Sequence, residues 1–448
     1  MFNMTKIRAT NGAGKSFYAN HLAANDYYSE SEKVVGCWKG FLTYNFGLLG
    51  EKVDLNTFSL FQKGINPLSG GKLTQRRVSG GPRFFDFQVA APKSVSIMSL
   101  FDARLIEAHR EAVDEAMREL ESLAAVRLRT GDHVFTNNYE ITGQIIYAQF
   151  HHDASRALDP QLHTHNVVVN VTQDSNGKYK ALESLEMCRA IRYAGKVYHN
   201  KLSELCRQLG YELENHYDEK GRILWKDIKG IPPEVMELYS KRRHEIEKLE
   251  EAFIAEHGRK PTLTENNQLS MSSRASKMKT ATSAEVREYQ LSQLTAEQKR
   301  LLFRKADQVK WSQPEKEWID PELVQKALRE AVHLIFERES VVKLDKVLAE
   351  AMNQNLGAYP LEMLKEEAGE LPELKKLGGL DINPWVAPQK IIDRELYAIE
   401  AVENQRGVFE AIAPEFTAFA GEESRASQAE LIRGLLNSRD RFNLFRGV

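Results

Sequence analysis

One segment constrains this chain more than any other, because it places four histidines within 15 residues. The segment reads FHHDASRALDPQLHTHNVVVN over residues 150–170. Its β-branched, apolar end and the alternating apolar and polar residues 144–150 predict two strands. Residues 158–161 are predicted to turn between the strands, because Pro160 supplies a fixed φ. The sequence therefore predicts a hairpin-like unit that carries the histidines.

The spacing of His163 and His165 predicts a metal site. Alternate residues of a strand share a face, so both imidazoles project together and Thr164 points the other way. One more imidazole from the neighbouring strand would complete three nitrogen ligands, with positions left open for water or a phosphate oxygen. His151 and His152 lie on opposite faces, so only one of them can join. The alternative is a set of ordinary polar residues on a sheet face, but the clustering favours a metal.

Composition bounds the class of protein. The chain has 448 residues, which predicts two or three domains, and 42% hydrophobic with 28% charged residues is typical of a globular protein. It contains no run of 18 apolar residues and no signal-peptide segment, so we expect no membrane insertion. Three scattered cysteines indicate a reducing, cytoplasmic location. Strand and helix patterns mix without βαβ regularity, which favours an α+β fold.

Charge is unevenly distributed along the chain. The net charge is −2, which argues against a wholly basic nucleic-acid binder, but the first 100 residues hold 12 Lys+Arg against 6 Asp+Glu. A basic front suits a polyanion site at one end. The pattern of residues 9–16, ATNGAGKS, is a relaxed phosphate loop. No βαβ alternation and no Mg-binding Asp follow it, so a glycine-rich turn into a helix over residues 15–28 is the preferred interpretation.

The run from Asp159 to His165 resembles the histidine motif of F-type conjugative relaxases, the MobF family. In that family the third ligand lies eleven residues before the first histidine of the pair, which implies His152. The strand-to-helix segment 84–96 is also similar, and the resemblance implies that Asp86 orients a metal-bound imidazole and draws a tyrosine proton. Lys93 at this helix start is expected at the surface, with a phosphate contact as the alternative.

The resemblance also implies nucleophilic tyrosines near the N-terminus. Asp26-Tyr27-Tyr28 resembles the second Tyr-Tyr pair of the family, and Tyr18 stands in the first, where Phe17 replaces one tyrosine. We expect Tyr18, Tyr27 and Tyr28 as the candidate nucleophiles. The glycine-rich segment 63–83 is expected to be either a solvated loop or a mobile loop that follows a DNA backbone. Candidate DNA contacts are Lys72, Arg76, Arg77, Arg83 and Arg156.

Taken with the family, these residues imply a relaxase that nicks origin-of-transfer DNA at one site on one strand and rejoins it. The implied fold is an antiparallel five-stranded sheet with packed helices over residues 1–300. The implied intermediate is a 5′-phosphotyrosine. The implied cofactor is a divalent metal ion, with Mg or Mn expected, although three imidazoles also accept Zn, Co or Ni. The implied partners of this monomer are single-stranded origin DNA with an adjacent duplex or hairpin, accessory relaxosome proteins and a type IV secretion coupling protein.

The sequence of the second half predicts several helices, among them residues 323–352 and 360–371. By resemblance, residues 315–448 are expected to be the mainly helical front part of a truncated helicase-like region. Two alternatives to the relaxase remain open. A rolling-circle replication initiator uses the same histidine chemistry, but it places its nucleophile after the histidines. The other alternative is a non-catalytic single-stranded DNA-binding module, which is favoured by the replacement of one tyrosine by Phe17 in the first pair.

Overall fold

The computed structural model describes residues 2–8, 36–74, 80–127, 139–155, 157–219, 221–262, 265–266, 269, 282–311, 319–380, 382–416 and 426–443. The strands of the first 228 residues are β1 (Phe2–Arg8), β2 (Cys37–Lys39), β3 (Pro82–Ala90), β4 (Ala125–Arg127), β5 (Tyr139–Ile141), β6 (Tyr147–Ala154), β7 (Pro160–Val169), β8 (Thr172–Gln173), β9 (Tyr179–Lys180), β10 (Leu182–Glu183), β11 (Leu213–Tyr217) and β12 (Ile223–Ile228).

The helices up to residue 311 are α1 (Thr43–Phe46), α2 (Leu55–Lys63), α3 (Lys93–Met98), α4 (Arg104–Ser122), α5 (Leu185–Arg189), α6 (Ile191–Gln208), α7 (Pro233–Leu238), α8 (Lys241–His257), α9 (Ser283–Ser292) and α10 (Ala296–Trp311). The remaining elements are α11 (Pro321–Phe336), β13 (Val342–Lys343), α12 (Leu344–Gln354), α13 (Leu361–Glu370), β14 (Leu374–Leu380), β15 (Asn383–Pro388), α14 (Gln389–Glu403) and α15 (Ala426–Asn437). No helix in these ranges is long and apolar enough to cross a membrane.

The central element is a five-stranded sheet in the order β1-β3-β7-β6-β2, and every pairing in it is antiparallel. The predicted α+β fold with an antiparallel five-stranded sheet is therefore confirmed. β7 is the middle strand, so both of its edges are paired. The sheet can bury both faces because alternate residues of each strand serve different layers.

Two apolar layers cover the sheet. On one face, Val168 and Leu162 join a large core with the amphipathic helices α4 and α6. On the other face, Val167 and Val169 pack with Phe84, Phe150 and a small layer around Trp38 and α2. The alternation along β7 thus decides which side chains face which layer. We refer below to the α4/α6 side as the helix side and to the other as the Trp38 side.

Residues 321–388 add a second, smaller sheet to three helices. Its strand order is β13-β15-β14, which with α11, α12 and α13 gives a helix-strand-helix-helix-hairpin arrangement. The predicted continuous helix over residues 323–352 is wrong, because the chain extends into β13 between α11 and α12. Apolar residues of α11, α12 and α13 belong to the same buried core as α4 and α6. This part of the chain is thus packed directly on the first sheet's helices.

Candidate metal centre and its surroundings

The pairing of β6 with β7 brings three histidines onto one face. His152 lies directly opposite His163, and His165 follows two residues later on β7. The ring centroids are separated by 4.9 Å for His152–His163, 5.4 Å for His152–His165 and 5.6 Å for His163–His165. His151 pairs with Thr164 and belongs to the opposite face. Of the two candidate third imidazoles, the register therefore places His152 with the pair.

Hydrogen bonds fix the tautomers of two of these rings. His165 Nδ1 lies 2.9 Å from Asp86 Oδ2, and His163 Nδ1 lies 3.0 Å from the carbonyl oxygen of Gln161. A carbonyl or a carboxylate only accepts, so each Nδ1 carries the proton and each Nε2 keeps its lone pair. A carboxylate or carbonyl behind a histidine is the usual arrangement around a metal-bound imidazole.

Asp86 is fully buried on β3, the strand next to β7. Its Oδ2 also accepts a 2.8 Å hydrogen bond from Gln88 Nε2. Among the described residues, no hydrogen-bond partner meets its other oxygen, Oδ1. A buried carboxylate oxygen is costly to leave without a donor. Asp86 therefore combines one oxygen committed to His165 with one that can accept a further hydrogen bond.

The donor set fits a divalent ion by chemistry and by separation. Three imidazoles bound at about 2.0–2.1 Å from one ion place their ring centroids about 5 Å apart. The observed spacings of 4.9–5.6 Å match that figure. In the part of the chain that the structure describes, no three ligand side chains already converge their donor atoms on one point. The His152 and His163 rings are stacked, with an angle of 20° between their planes.

Behind the histidines, on the helix side, lies a row of buried polar side chains. Thr164 Oγ1 lies 2.9 Å from His109 Nε2 and 2.8 Å from His151 Nδ1, and His109 Nδ1 lies 2.7 Å from the Tyr198 hydroxyl. Burial lowers the pKa of His109 well below its usual value. Burial, helped by nearby Arg110, lowers the pKa of His151 to about 4. Both imidazoles are therefore neutral at pH 7, each with one donor and one acceptor nitrogen.

A second row lies beside the first. Gln149 Nε2 donates to Asn166 Oδ1 at 3.0 Å and to Asp114 Oδ1 at 2.9 Å, while Asn166 Nδ2 donates to the carbonyl of Phe87. Lys39 of β2 forms a 2.6 Å ion pair with Asp114. Sequence reasoning missed these residues. His109 and Asp114 stand in a helix whose pattern gives no sign that they face a sheet.

The turn between the two ligand strands differs from the prediction. Ser155 N donates to the carbonyl of Asp159, and Pro160 already pairs with Ala154, so the chain has reversed before Pro160. Leu158 takes the left-handed φ of 62° that the turn needs. The prediction that Pro160 forms the turn is therefore wrong.

Lys93 was expected at the surface, and this prediction is also wrong. Its ammonium donates to the carbonyl of Tyr239 at 2.7 Å, and desolvation by burial lowers its pKa. Nearby, Lys241 Nζ lies 3.3 Å from the buried Asp159 Oδ1. The two lysines thus tie the ligand turn to the chain between α7 and α8.

The glycine-rich segment forms part of a cavity at the far end of β7. Lys63, Lys72 and Arg83 line this cavity of about 710 Å³ together with Asn170. Its described part includes a turn closed by a bridge between Ile65 and Lys72, and residues 68–72 in this turn are exposed, so the choice between a solvated loop and a loop that follows DNA stays a prediction. Arg76, Arg77 and Arg156 lie outside the described residues. The candidate nucleophiles Tyr18, Tyr27 and Tyr28 also lie outside them, as does the phosphate-loop pattern of residues 9–16.

Comparison with known proteins points to one family. The family model described as "TrwC relaxase" matches residues 11–296. Two proteins called "Multifunctional conjugation protein TraI", from Escherichia coli strain K12 and from Escherichia coli, are each 36% identical over 248 and 243 residues, or 52% and 50% of this chain. The matched region is 13% of the length of each of these curated relatives.

Solved structures agree. The metal-bound structure of conjugative relaxase TrwC with oriT DNA superimposes with a TM-score of 0.54 and 30% identity, over 65% of this chain and 97% of that one. A structure of TrwC with a 27-mer DNA comprising the recognition hairpin and the cleavage site gives the same score and identity, over 67% and 98%. A copper-bound form matches equally well, with a TM-score of 0.54 and 30% identity over 67% and 98%.

Proposed function

The chain belongs to the TrwC relaxase family, and from this premise we propose that it cuts and rejoins one strand of origin-of-transfer DNA by tyrosine transesterification. The observation that carries the proposal is the group of His152, His163 and His165 on one sheet face, with Asp86 buried behind it. This arrangement suits the binding of a phosphate through a metal ion and the removal of one proton nearby.

The three histidines are proposed to hold a divalent ion through their Nε2 atoms. Such an ion, when bound, neutralises charge on the scissile phosphate as a Lewis acid. His163 and His165 are already in the required tautomer, because Gln161 and Asp86 accept their Nδ1 protons. We expect Mg or Mn to serve, while Zn, Co, Ni and copper fit the same nitrogen donors.

Asp86 is proposed to accept the proton of the attacking tyrosine. A tyrosine hydroxyl has an ordinary pKa of about 10, so it attacks efficiently only if a base removes its proton. Asp86 Oδ2 is committed to His165 and Gln88, which leaves Oδ1 for that proton. Tyr18, Tyr27 and Tyr28 are the proposed nucleophiles, on the family resemblance of their positions.

The reaction conserves one phosphoester. The tyrosine oxygen forms a bond to the phosphorus, and the bond from the phosphorus to the 3′ oxygen breaks. The 3′ oxygen takes up a proton and leaves as a hydroxyl, and the phosphate stays on the tyrosine as a 5′-phosphotyrosine. Because the phosphoester bond is retained, the free 3′-hydroxyl can attack it and restore the strand. A second tyrosine allows a second exchange when transfer ends.

The proposed substrate is single-stranded origin DNA beside a hairpin or duplex. The TrwC structure with a 27-mer carrying a recognition hairpin and cleavage site supports this choice. In this chain, the basic cavity lined by Lys63, Lys72 and Arg83 offers cations to a phosphate backbone. Accessory relaxosome proteins, a secretion coupling protein and a cytoplasmic site of action are proposed on the same family grounds.

Covalent capture tests the proposal. Labelled single strands that tile the intergenic DNA of the source replicon are incubated with the protein and Mn²⁺, and denaturing gels detect protein–DNA adducts. We expect one tile to give an adduct, with mass spectrometry locating it on Tyr18, Tyr27 or Tyr28. His163→Ala should abolish the adduct, and Tyr397→Phe, which changes an exposed tyrosine on α14, should not.

Two results would contradict the proposal. Absence of an adduct on every tile, with folded protein that binds Mn²⁺, would favour the DNA-binding module. An adduct that forms equally well with His163→Ala would remove the histidines from the reaction.

A further inference from the structure

Thr164 stands between the two histidines of β7 and points to the opposite face. It is fully buried on the helix side, the side of the sheet on which the large core of α4 and α6 packs. Its hydroxyl contacts two imidazoles, His109 Nε2 at 2.9 Å and His151 Nδ1 at 2.8 Å. A β-branched residue of the same shape without a hydroxyl would pack equally well in a strand. Packing alone therefore does not account for a hydroxyl at this position.

The donors and acceptors of these side chains allow one continuous row of hydrogen bonds. The neutral imidazole of His109 has one donor and one acceptor nitrogen, and each hydroxyl can donate one hydrogen bond and accept two. If Tyr198 donates to His109 Nδ1, then His109 Nε2 donates to Thr164, whose hydroxyl can in turn donate to His151. The opposite direction works equally well. In both cases the Thr164 hydroxyl links the buried His109 ring to the half-buried His151 ring, and without it one nitrogen of each ring loses this partner.

This row of hydrogen bonds joins the four elements that hold the metal ligands in place. His109 is on α4, Tyr198 is on α6, His151 is on β6 and Thr164 is on β7. The row of Gln149, Asn166 and Asp114 makes a parallel link between the same two strands and α4. A slip of one residue in β7 would send His163 and His165 to the helix side. Such a slip would also break both polar rows, so the rows penalise it.

We propose that Thr164 is a positioning residue that fixes the register and backbone orientation of the two β7 histidines for metal binding through its hydrogen bonds to His109 and His151. The inference rests on the proposed metal site. It assigns the side chain between the ligands a purpose distinct from that of Asp86 and Gln161, which act directly on the ligand rings.

The test measures Mn²⁺ binding by the full chain without DNA, by isothermal titration calorimetry. Thr164→Val keeps the shape and removes the hydroxyl. We expect Mn²⁺ affinity to fall about 10-fold, the lower end of the loss seen when a direct hydrogen-bond partner of a metal ligand is removed, because Thr164 acts on the ligands only through the strand that carries them. Thr164→Ser should restore affinity to within a few-fold of the unsubstituted protein. If Thr164→Val does not fold, Thr164→Cys replaces it under the same criterion.

Thr172→Val is the matched control. Thr172 is as buried as Thr164, and its hydroxyl contacts Thr142 Oγ1 at 2.5 Å and the carbonyl of Gln144 at 2.9 Å, away from the histidines. Both valine variants should lower thermal stability, but only the one at Thr164 should weaken Mn²⁺ binding. Equal losses of Mn²⁺ affinity in the two variants would assign the effect to general destabilisation and overturn the inference.

His163→Ala separates this inference from the proposed function. If His163→Ala abolishes Mn²⁺ binding and Thr164→Val binds Mn²⁺ like the unsubstituted protein, only the positioning role of Thr164 is refuted. If His163→Ala itself binds Mn²⁺ normally, the proposed metal site is refuted, and the positioning role falls with it.

Discussion

Gly357 gives a sharp test of how the second part of the chain is attached to the first. It lies in the turn after α12, with a left-handed φ of 76°. A Cβ at this position would lie 2.6 Å from Ser203 Cβ and 2.7 Å from the backbone nitrogen of Glu204. Both belong to α6, whose backbone cannot move aside without disturbing the core. The turn therefore fits against α6 only if residue 357 has no side chain.

The magnitude of Gly357→Ala follows from three contributions. A left-handed φ costs an alanine about 1 kcal/mol, and forced overlap in a packed site costs about 1–3 kcal/mol. If the turn withdraws to relieve the overlap, it loses hydrogen bonds between Gly357 N and Asn200 Oδ1, 2.7 Å, and between Arg207 and the Gly357 carbonyl, 2.8 Å. We therefore expect about 3 kcal/mol less stability for the docked arrangement, roughly a 150-fold shift toward the undocked one.

Hydrogen exchange measured by mass spectrometry is the assay. In Gly357→Ala, amides of α12, α13 and the buried face of α6 should exchange faster, while those of β6 and β7 should keep their protection. Gly369→Ala is the control, because no atom lies within 4 Å of its added Cβ and α13 gains a better helix former. Exchange in Gly357→Ala that matches both the control and the unsubstituted protein would refute the close packing of the turn on α6.

Other predictions concern the chemistry and its pH dependence. Asp86→Asn should weaken Mn²⁺ binding about 10- to 100-fold and slow adduct formation, because a neutral amide accepts a weaker hydrogen bond from His165. Calorimetry measures the Mn²⁺ affinity, and single-turnover capture measures the rate of adduct formation. If both values are unchanged, Asp86 neither orients His165 nor acts as the base. Tyr18→Phe and Tyr27→Phe, made separately, should identify the first nucleophile by loss of capture, and unaltered capture in both would contradict the assignment. A chelator should abolish capture, and added Mn²⁺ should restore it; capture that persists would refute metal dependence. Burial lowers the pKa of Lys196 from 10.5 to about 8. Between pH 8 and pH 10.5 the unfolded chain therefore binds more protons than the folded chain. The free energy of unfolding should consequently rise with pH across this window. Denaturant titrations should show this rise flattened in Lys196→Met, and an identical profile would contradict it.

Local alternation explains what the sequence could predict. The shared face of His163 and His165 depends only on a period of two, so it could be predicted without knowledge of the sheet. The resemblance to F-type relaxases, which rested on that motif, is confirmed by the family match over residues 11–296. The predicted ligand, base and nucleophile roles of individual residues stay predictions, as does the assignment of residues 315–448 to a helicase-like region.

Contacts between distant segments could not be predicted. Lys93 occupies a helix start that is typical of the surface, yet the chain after α7 covers it, and the backbone carbonyl of Tyr239 accepts a hydrogen bond from its ammonium. The chain forms two separate helices here, α7 and α8, with a break at Tyr239 and Ser240, where that covering contact is made. His109 lies in a plain amphipathic helix pattern. In each case the decisive neighbour is more than 50 residues away in sequence, and no local period encodes it.

The two faces of the β6–β7 pair have different functions in the proposed site. A metal-binding face needs polar nitrogens that stay accessible to a phosphate, and that weakens the apolar packing that normally fixes strand register. In this chain the opposite face supplies the register through hydrogen bonds, at Thr164 and Asn166, which alternate with the ligands. These polar contacts are directional, so they penalise a slip or twist that apolar contacts in the same layer would tolerate. Metal binding on one side of the sheet therefore depends on the buried hydrogen bonds on the other side.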